Sequence, residues 1–189
     1  MAKINLSLKF DDVVLEYLEF CELERNLSQN TIKMYHFYLT DFGQWSEDFL
    51  KKDVFSISDI DDDLIKKYRV NLNRRISSKS NSEFKRSTQK TFLVAIRAFL
   101  KYLVIEKGIE AFSPEKIILG KSEDRVPKVL NTQQMKKLFE VQNLDKKSGI
   151  RDKAIIETLY STGLRVSELV ALNRDEVNLE TGEFTVVGK

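Results

Sequence analysis

The sequence has few of the residues on which disulfide-bonded and metal-binding proteins depend: its 189 residues include one cysteine and one histidine, with two prolines and seven glycines. A single cysteine, Cys21, cannot form a disulfide within the chain. The sequence also has no signal-peptide pattern and no apolar run long enough to span a bilayer. We therefore expect a cytoplasmic protein in a reducing compartment.

Common catalytic centres are missing as well. The chain has no Gly-rich phosphate loop and no Cys/His cluster with metal-ligand spacing. Its histidine, His36, lies in a helical stretch without an HxxxH or HExxH context, which fits a surface or core-edge residue. A metal site or a Ser-His-Asp hydrolase is therefore not expected.

Charge is distributed unevenly along the chain. The formal net charge is +2, from 31 basic and 29 acidic residues. Residues 66–107 contain twelve Lys/Arg and two Glu, or +10, which leaves 19 basic and 27 acidic residues, or −8, for the rest. A segment with this much positive charge suits a surface that follows phosphates, and equally suits a solvated helix face.

Apolar residues recur at spacings of three and four, which predicts a mainly α-helical fold. Four stripes predict a small bundle of four helices, with Ser28 as the N-cap of the second and an end near Gly108 for the fourth. A polar loop at 76–82 separates the third and fourth helices. The stripes are Val13, Val14, Tyr17, Leu18 and Cys21; Ile32, Tyr35, Leu39 and Phe42; Leu64, Ile65, Tyr68 and Leu72; and Phe92, Ile96, Phe99 and Leu103.

The stretch 112–128 holds both prolines and a glycine among mixed charges. We interpret 113–128 as a linker between a first domain, 1–112, and a second, 129–189. The second domain should begin with a helix capped near Asn131 or Thr132, then a helix over 150–160, then a short one from about Arg165. The final "EFTVVGK" follows the turn signal "LETGE" and predicts a strand. A strand without a partner suggests that the chain stops within a hairpin.

Two stretches are candidates for contacts with phosphate. The start of the second helix, "NLSQNTIKMY", offers Ser28, Asn30 and Thr31 at a helix N-terminus, although taken alone plain capping explains them better. In the fourth helix Lys90, Arg97 and Lys101 fall near one face, opposite the apolar stripe. Such a helix suits the major groove of DNA or its flanking phosphates, and also an ordinary surface.

The run "STGLRVSELVAL" places Arg165 in an apolar stretch just after a glycine. Burying an unpaired guanidinium costs several kcal/mol. Two explanations are open: Arg165 is paired with a neighbour such as Glu168, or it faces a cleft that receives an anion.

Four segments together resemble the tyrosine site-specific recombinases, and are most similar to the Xer-type and phage-integrase branch. They are "LSQNTIKMYHFYLTDFGQW", "FLKYLVIEKGI", "RVPKVLNTQQMKKLF" and "RDKAIIETLYSTGLRVSELVALNRDEVNLETGEFTVVGK". The resemblance covers nearly all of the chain, and "TGLRVSEL" followed at the family's usual distance by "VGK" is its most specific part. It implies a SAM-like core-binding domain of four helices, followed by the first helices and first β-strands of the catalytic domain. In this family the two domains clamp duplex DNA from opposite sides.

The resemblance also implies roles for individual residues. Arg165 matches the first catalytic arginine, which binds the scissile phosphate, and Lys189 matches the hairpin lysine that protonates the departing 5′-oxygen. A guanidinium fork matches the oxygens of a phosphoryl group without a metal, so no cofactor is expected. DNA contacts are expected at Ser28, Asn30, Thr31, Lys33, Tyr35, Lys85, Arg86, Thr88, Lys90, Arg97 and Lys101, and in the linker at Lys121, Arg125 and Lys128.

Other parts of the family's catalytic set have no match in these residues. They are a His/Lys-x-x-Arg pair, a further His or Trp, and the tyrosine that forms a 3′-phosphotyrosyl intermediate. We therefore expect a fragment, truncated within the catalytic domain, that binds double-stranded DNA but is inactive, and is monomeric in solution. The complete protein would carry out site-specific DNA recombination or integration, as a tetramer on two duplexes.

Two other hypotheses remain open from the sequence. The chain would also fit a naturally short, non-catalytic DNA-binding regulator that partners a full-length recombinase. It would also fit a helical protein-interaction module whose basic face is merely solvated, which predicts no affinity for DNA at moderate salt.

Overall fold

The computed structural model describes residues 8–77, 81–120 and 127–186, and it divides into one compact unit through Asp124 and a second from Arg125. The described part of the first unit forms four α-helices and two short 3₁₀ turns, at Ile57–Asp59 and Pro114–Lys116. The helices are α1 (Phe10–Leu23), α2 (Gln29–Leu50), α3 (Asp62–Arg74) and α4 (Arg86–Ile105). The mainly helical fold and the four predicted helices are confirmed.

Side-chain caps and left-handed residues set the ends of these helices. Ser28 caps α2 by accepting a hydrogen bond from the Thr31 backbone N–H at 3.4 Å. The Asp61 carboxylate does the same for α3, accepting from the Leu64 N–H at 2.8 Å. α4 ends three residues before Gly108, whose φ of +63° lies in the region that glycine adopts without strain.

One hydrophobic core joins all four helices of the first unit. The predicted stripes of α1, α3 and α4 are buried, whereas in α2 Leu39 and Phe42 are buried and Ile32 and Tyr35 are half-buried. The fully buried Phe10 ring lies at the centre, with ring centroids 4.9–5.8 Å away on Phe42, Phe55 and Phe99. Edge-to-face contacts of this kind add to the gain from apolar burial.

A polar network fastens α2 to α3. The Tyr68 hydroxyl donates to one oxygen of the Asp41 carboxylate at 2.8 Å, and Arg75 Nη1 donates to the other at 2.5 Å. Burial, then the charge of Asp41, raises the pKa of Tyr68, so the phenol keeps its proton and acts as a donor. The Arg75 guanidinium also lies 5.9 Å from the centroid of the Phe84 ring, just before α4.

The chain after α4 continues to pack on the first unit. Ile109, Pro114 and Ile117 are buried, and the Ile109 N–H donates to the Leu103 carbonyl at 2.9 Å. The first residues of the predicted linker, 113–128, therefore pack against the helical bundle. The boundaries of the two domains stay a prediction.

The described residues of the second unit form three α-helices, α5 (Thr132–Glu140), α6 (Lys147–Thr162) and α7 (Val166–Ala171), and a 3₁₀ turn at Arg174–Glu176. Asn131 caps α5 through a reciprocal pair of 2.9 Å hydrogen bonds with Gln134, as predicted. Gly149 is the one fully buried residue among those described in this unit. The apolar side chains of the second unit therefore do not form a buried hydrophobic core within its described residues.

The predicted strand is represented by a single antiparallel bridge between Val177 and Phe184. The Asn178 N–H donates to the Glu183 carbonyl at 2.9 Å, and Gly182 turns the chain with a φ of +72°. β pairing among the described residues is limited to isolated bridges. The predicted β-strands are therefore not confirmed. Residues 187–189, with Lys189, lie outside the described residues.

Candidate functional site

A row of cations runs along the solvent side of α4. Arg86, Lys90, Arg97 and Lys101 fall within about 60° of one another around the helix axis at 3.6 residues per turn. Arg86 and Lys101 are exposed, and Lys90 and Arg97 are half-buried. The helix contains no acidic residue, so nothing within α4 offsets this charge. We call these four residues the α4 stripe.

At the start of α2, Ser28, Asn30 and Lys33 are exposed and Thr31 is half-buried, and the two hydroxyl groups are already engaged. The Ser28 and Thr31 hydroxyl oxygens lie 2.9 Å apart, and Ser28 also caps the helix. Asn30 and Lys33 are exposed and extend into solvent from the first turns. A phosphate here would meet one amide and one ammonium group, with hydroxyls that are shared with the cap.

Other predicted contact residues lie in different settings. Tyr35 is half-buried and its ring stacks on Tyr17 at 5.9 Å, so it contributes to packing. Lys85 is the exposed N-cap residue of α4, whereas Thr88 is half-buried and lies on the opposite side of the helix from Arg97. Lys128 is exposed. Lys121 and Arg125 lie outside the described residues.

The charge of α1 is opposite to that of α4. The α1 sequence, "FDDVVLEYLEFCEL", has five acidic residues and no Lys or Arg. All five are exposed: Asp11, Asp12, Glu16, Glu19 and Glu22. The first unit therefore separates its charge on one small core, with acidic residues on α1 and basic residues on α4.

A groove of about 580 Å³ lies between α3 and α4 and has further cations on its walls. Two come from α3, Arg69 and Arg74, and two from the α4 stripe, Arg86 and Lys90. The charge count over 66–107 included the two α3 arginines, but the sequence did not select them as site residues. We call this feature the α3–α4 groove.

In the second unit, Arg165 is the N-cap residue of α7. Its Nη1 donates to Glu168 Oε1 at 2.6 Å, and its backbone N–H donates to Glu168 Oε2 at 2.8 Å. These two hydrogen bonds, the backbone one first, lower the pKa of the Glu168 carboxyl. The Arg165 side chain is nevertheless 74% exposed, so it is paired without being buried.

Arg165 also lies on a cleft of about 510 Å³. The other lining residues come from α7, the 3₁₀ turn and the chain after the bridge: Ser167, Glu168, Ala171, Leu172, Glu176, Thr185 and Val186. The pairing with Glu168 is thus confirmed, and Arg165 also lines a cleft; that the cleft receives an anion stays a prediction. No tyrosine is among the described residues that line it.

The described residues contain no group of three His, Cys, Asp or Glu side chains placed to hold a metal ion. No described helix is both long and apolar enough to cross a membrane.

Comparison with known proteins shows two matches to family models along the chain. Residues 14–107 match the SAM-like N-terminal domain of phage integrases, and residues 128–189 match the phage integrase family itself. The chain belongs to the phage integrase family. Helices α2 and α4 of the first unit lie within the SAM-like match. Arg165, in the second unit, lies within the phage integrase match.

Curated relatives of this phage integrase chain include Xer recombinases. It is 33% identical over 181 residues to the tyrosine recombinase XerD of Pasteurella multocida, covering 95% of this chain and 57% of that protein. It is 35% identical over 168 residues to the tyrosine recombinase XerC of Pelobacter propionicus, covering 89% of this chain and 53% of that protein. The chain therefore spans about half the length of the curated relatives it matches.

Among solved structures, one similar chain is the N-terminal domain of a phage integrase/site-specific recombinase from Haloarcula marismortui. The two are 17% identical with a TM-score of 0.48, and the match covers 61% of this chain and 100% of that one.

Proposed function

We propose that this chain is the DNA-binding part, with a portion of the catalytic site, of a tyrosine recombinase that cuts and rejoins duplex DNA at specific sites. The observation that carries the proposal is the separation of charge in the first unit: acidic α1 and basic α4 lie on one core, and the SAM-like match covers all of α4 and α1 from residue 14 onward. A DNA duplex is a dense line of negative charge, so it approaches through α4 and is repelled by α1.

The proposed interface consists of the α4 stripe and the start of α2. The stripe supplies cations at intervals of four and seven residues, about 6 and 10 Å along the helix axis. Cations at these intervals neutralise separate phosphates and set the position of the protein on the duplex. Asn30 and Lys33 add an amide and a charge from α2. Ser28 and Thr31 contribute through the hydroxyl oxygens that they share with the helix cap.

Arg165 has a different role in this proposal, as the first arginine that binds the phosphate undergoing transfer. A guanidinium has five N–H donors, and the pair with Glu168 uses one of them. The remaining donors can hold phosphate oxygens as negative charge builds on them. Glu168 Oε1 accepts from Nη1 and so orients the guanidinium, and both residues line the cleft.

We further propose that the 189 residues bind DNA without forming a covalent bond to it. Strand transfer by this family needs a tyrosine hydroxyl that attacks phosphorus. Four tyrosines are buried: Tyr17, Tyr38, Tyr68 and Tyr102. Tyr35 packs on Tyr17, and Tyr160 is exposed but does not line the Arg165 cleft. The absence of a tyrosine from the described residues that line the Arg165 cleft thus supports the proposal that the 189 residues do not carry out strand transfer. The acid role of Lys189 stays a prediction from the family resemblance.

Backbone amide shifts of the ¹⁵N-labelled chain during titration with a short duplex test the interface. We expect the largest shifts in α4 around the stripe and at residues 28–33, with α1 unchanged. Shifts concentrated in α1 would contradict the proposed interface, since its acidic face cannot bind phosphates.

Denaturing gel electrophoresis after incubation with labelled duplex tests the lack of covalent chemistry. We expect all DNA to be released by detergent. A detergent-resistant complex that survives heating would show that one of the six tyrosines acts as a nucleophile, and each Tyr→Phe variant would then identify it.

A further inference from the structure

The α3–α4 groove brings together cations from two helices that the sequence separates by a loop. Arg69 and Arg74 lie on α3, whereas Arg86 and Lys90 lie at the start of α4. None of the acidic side chains in the described residues forms an ion pair with Arg69, Arg74 or Arg86. These three arginines therefore concentrate positive charge in the groove that no described acidic side chain pairs with.

Packing between the two helices holds the groove open. Gln89 of α4 donates to the Asn73 side-chain oxygen at 3.2 Å and to the Phe84 carbonyl at 2.8 Å, so it joins α3, the preceding loop and α4. Leu72 and Leu93 beneath it are buried in the core. Since its floor and cross-link belong to the folded bundle, the groove exists before any ligand arrives.

The groove also continues the α4 stripe. Arg86 and Lys90 are members of both, and the remaining stripe residues, Arg97 and Lys101, follow along the same helix face. Arg69 and Arg74 are about 7.5 Å apart along the α3 axis at 1.5 Å per residue. Each DNA strand carries one phosphate per about 3.4 Å of duplex axis, so two cations this far apart meet different phosphates.

We propose that Arg69 and Arg74 bind phosphates of the DNA backbone in the α3–α4 groove, adding α3 to the interface formed by α2 and α4. This inference rests on the proposed DNA-binding function and extends it to residues outside the α4 stripe. The groove side of α3 then lies along the DNA backbone, beside the phosphates that the α4 stripe contacts. Contacts of this kind fix the register of the protein on the duplex and carry no sequence information.

The test is a fluorescence-anisotropy titration of a labelled duplex at several salt concentrations, with the double variant Arg69→Gln/Arg74→Gln. Each lost phosphate contact lowers the slope of log K against log salt by about 0.9, so we expect the slope to fall by about 2. The matched control is Lys51→Gln/Lys67→Gln, which removes the same charge from two exposed positions that do not line the groove. It should keep the slope close to that of the wild type.

A charge-preserving double variant, Arg69→Lys/Arg74→Lys, separates charge from folding. It should restore most of the slope, and circular dichroism melts should be alike for all variants. If the wild type binds and the Gln double variant keeps the wild-type slope, the inference is overturned while the proposed function stands. If the wild type does not bind at low salt, both are overturned.

Discussion

Arg165 and Glu168 bind each other through two hydrogen bonds at the start of α7, one from the guanidinium at 2.6 Å and one from the backbone N–H at 2.8 Å. Both carboxylate oxygens of Glu168 are used, whereas most donors of Arg165 are not. The pair thus fixes where the chain enters α7 and leaves an exposed guanidinium on the cleft. The pairing with Glu168 therefore leaves donors of Arg165 available for the proposed phosphate contact.

This pair makes a prediction about pH. The pKa of Glu168 lies below its ordinary value, so the pair stabilises the folded chain fully above that ordinary value, and the contribution is lost as pH falls through the lowered folded-state pKa. In Arg165→Ala the guanidinium is gone but the backbone N–H stays, so the pKa of Glu168 should rise part of the way back. NMR titration of the Glu168 carboxyl carbon in both proteins measures this. An unchanged pKa would mean that the guanidinium does not contact Glu168 in solution.

Arg97 and Arg165 should differ in their effect on DNA affinity. Arg97→Ala removes a member of the α4 stripe, so binding should weaken and the slope of log K against log salt should fall by about 1. The charge of Arg165 is already offset by its ion pair with Glu168, so Arg165→Ala should change affinity and slope less than Arg97→Ala does. Anisotropy titrations at two salt concentrations compare them. Loss of binding in Arg165→Ala with no change in Arg97→Ala would place the DNA on a different face.

The hydroxyl of Tyr68 should contribute measurably to stability. Tyr68→Phe removes the donor to Asp41 while the ring and the Arg75 ion pair remain. Because the acceptor is a charged and partly buried group, the free energy of unfolding should fall by about 1.5 kcal/mol. Urea denaturation measures the change.

The control for that comparison is Tyr35→Phe in the same unit. The Tyr35 ring stacks on Tyr17, and its hydroxyl makes no hydrogen bond to a described residue. Its removal should leave the unfolding free energy within about 0.5 kcal/mol of the wild type. Equal losses in the two variants would show that the Asp41 contact is not what stabilises α2 against α3.

Periodicity predicted the helices of the first unit because each one buries a single stripe. Residues such as Leu64, Tyr68 and Leu72 recur every three or four positions, and all are buried. Capping was equally local: the bond from Thr31 to Ser28 and the reciprocal bonds between Asn131 and Gln134 each span three residues. Helix positions and caps depend on residues close in sequence, so they could be predicted from the sequence.

Contacts that depend on how the helices pack could not be predicted from the sequence. Asp41 meets Tyr68 and Arg75 across 27 and 34 residues of sequence, and no local pattern signals that contact. The same holds for Arg69 and Arg74. The sequence shows that they add to the basic segment, but the groove that they line forms only when α3 packs beside α4. Thr88 and Tyr35 were selected by their place in a motif, and their half-buried settings follow from packing.

The central claim is that the basic face of the first unit binds duplex DNA through its phosphates. Fluorescence anisotropy of a labelled duplex of arbitrary sequence, titrated with the full 189-residue chain from low to moderate salt, tests it most directly. We expect binding at low salt with log K falling linearly in log salt, at a slope of several units. No binding at low salt, or binding that does not change with salt, would contradict it.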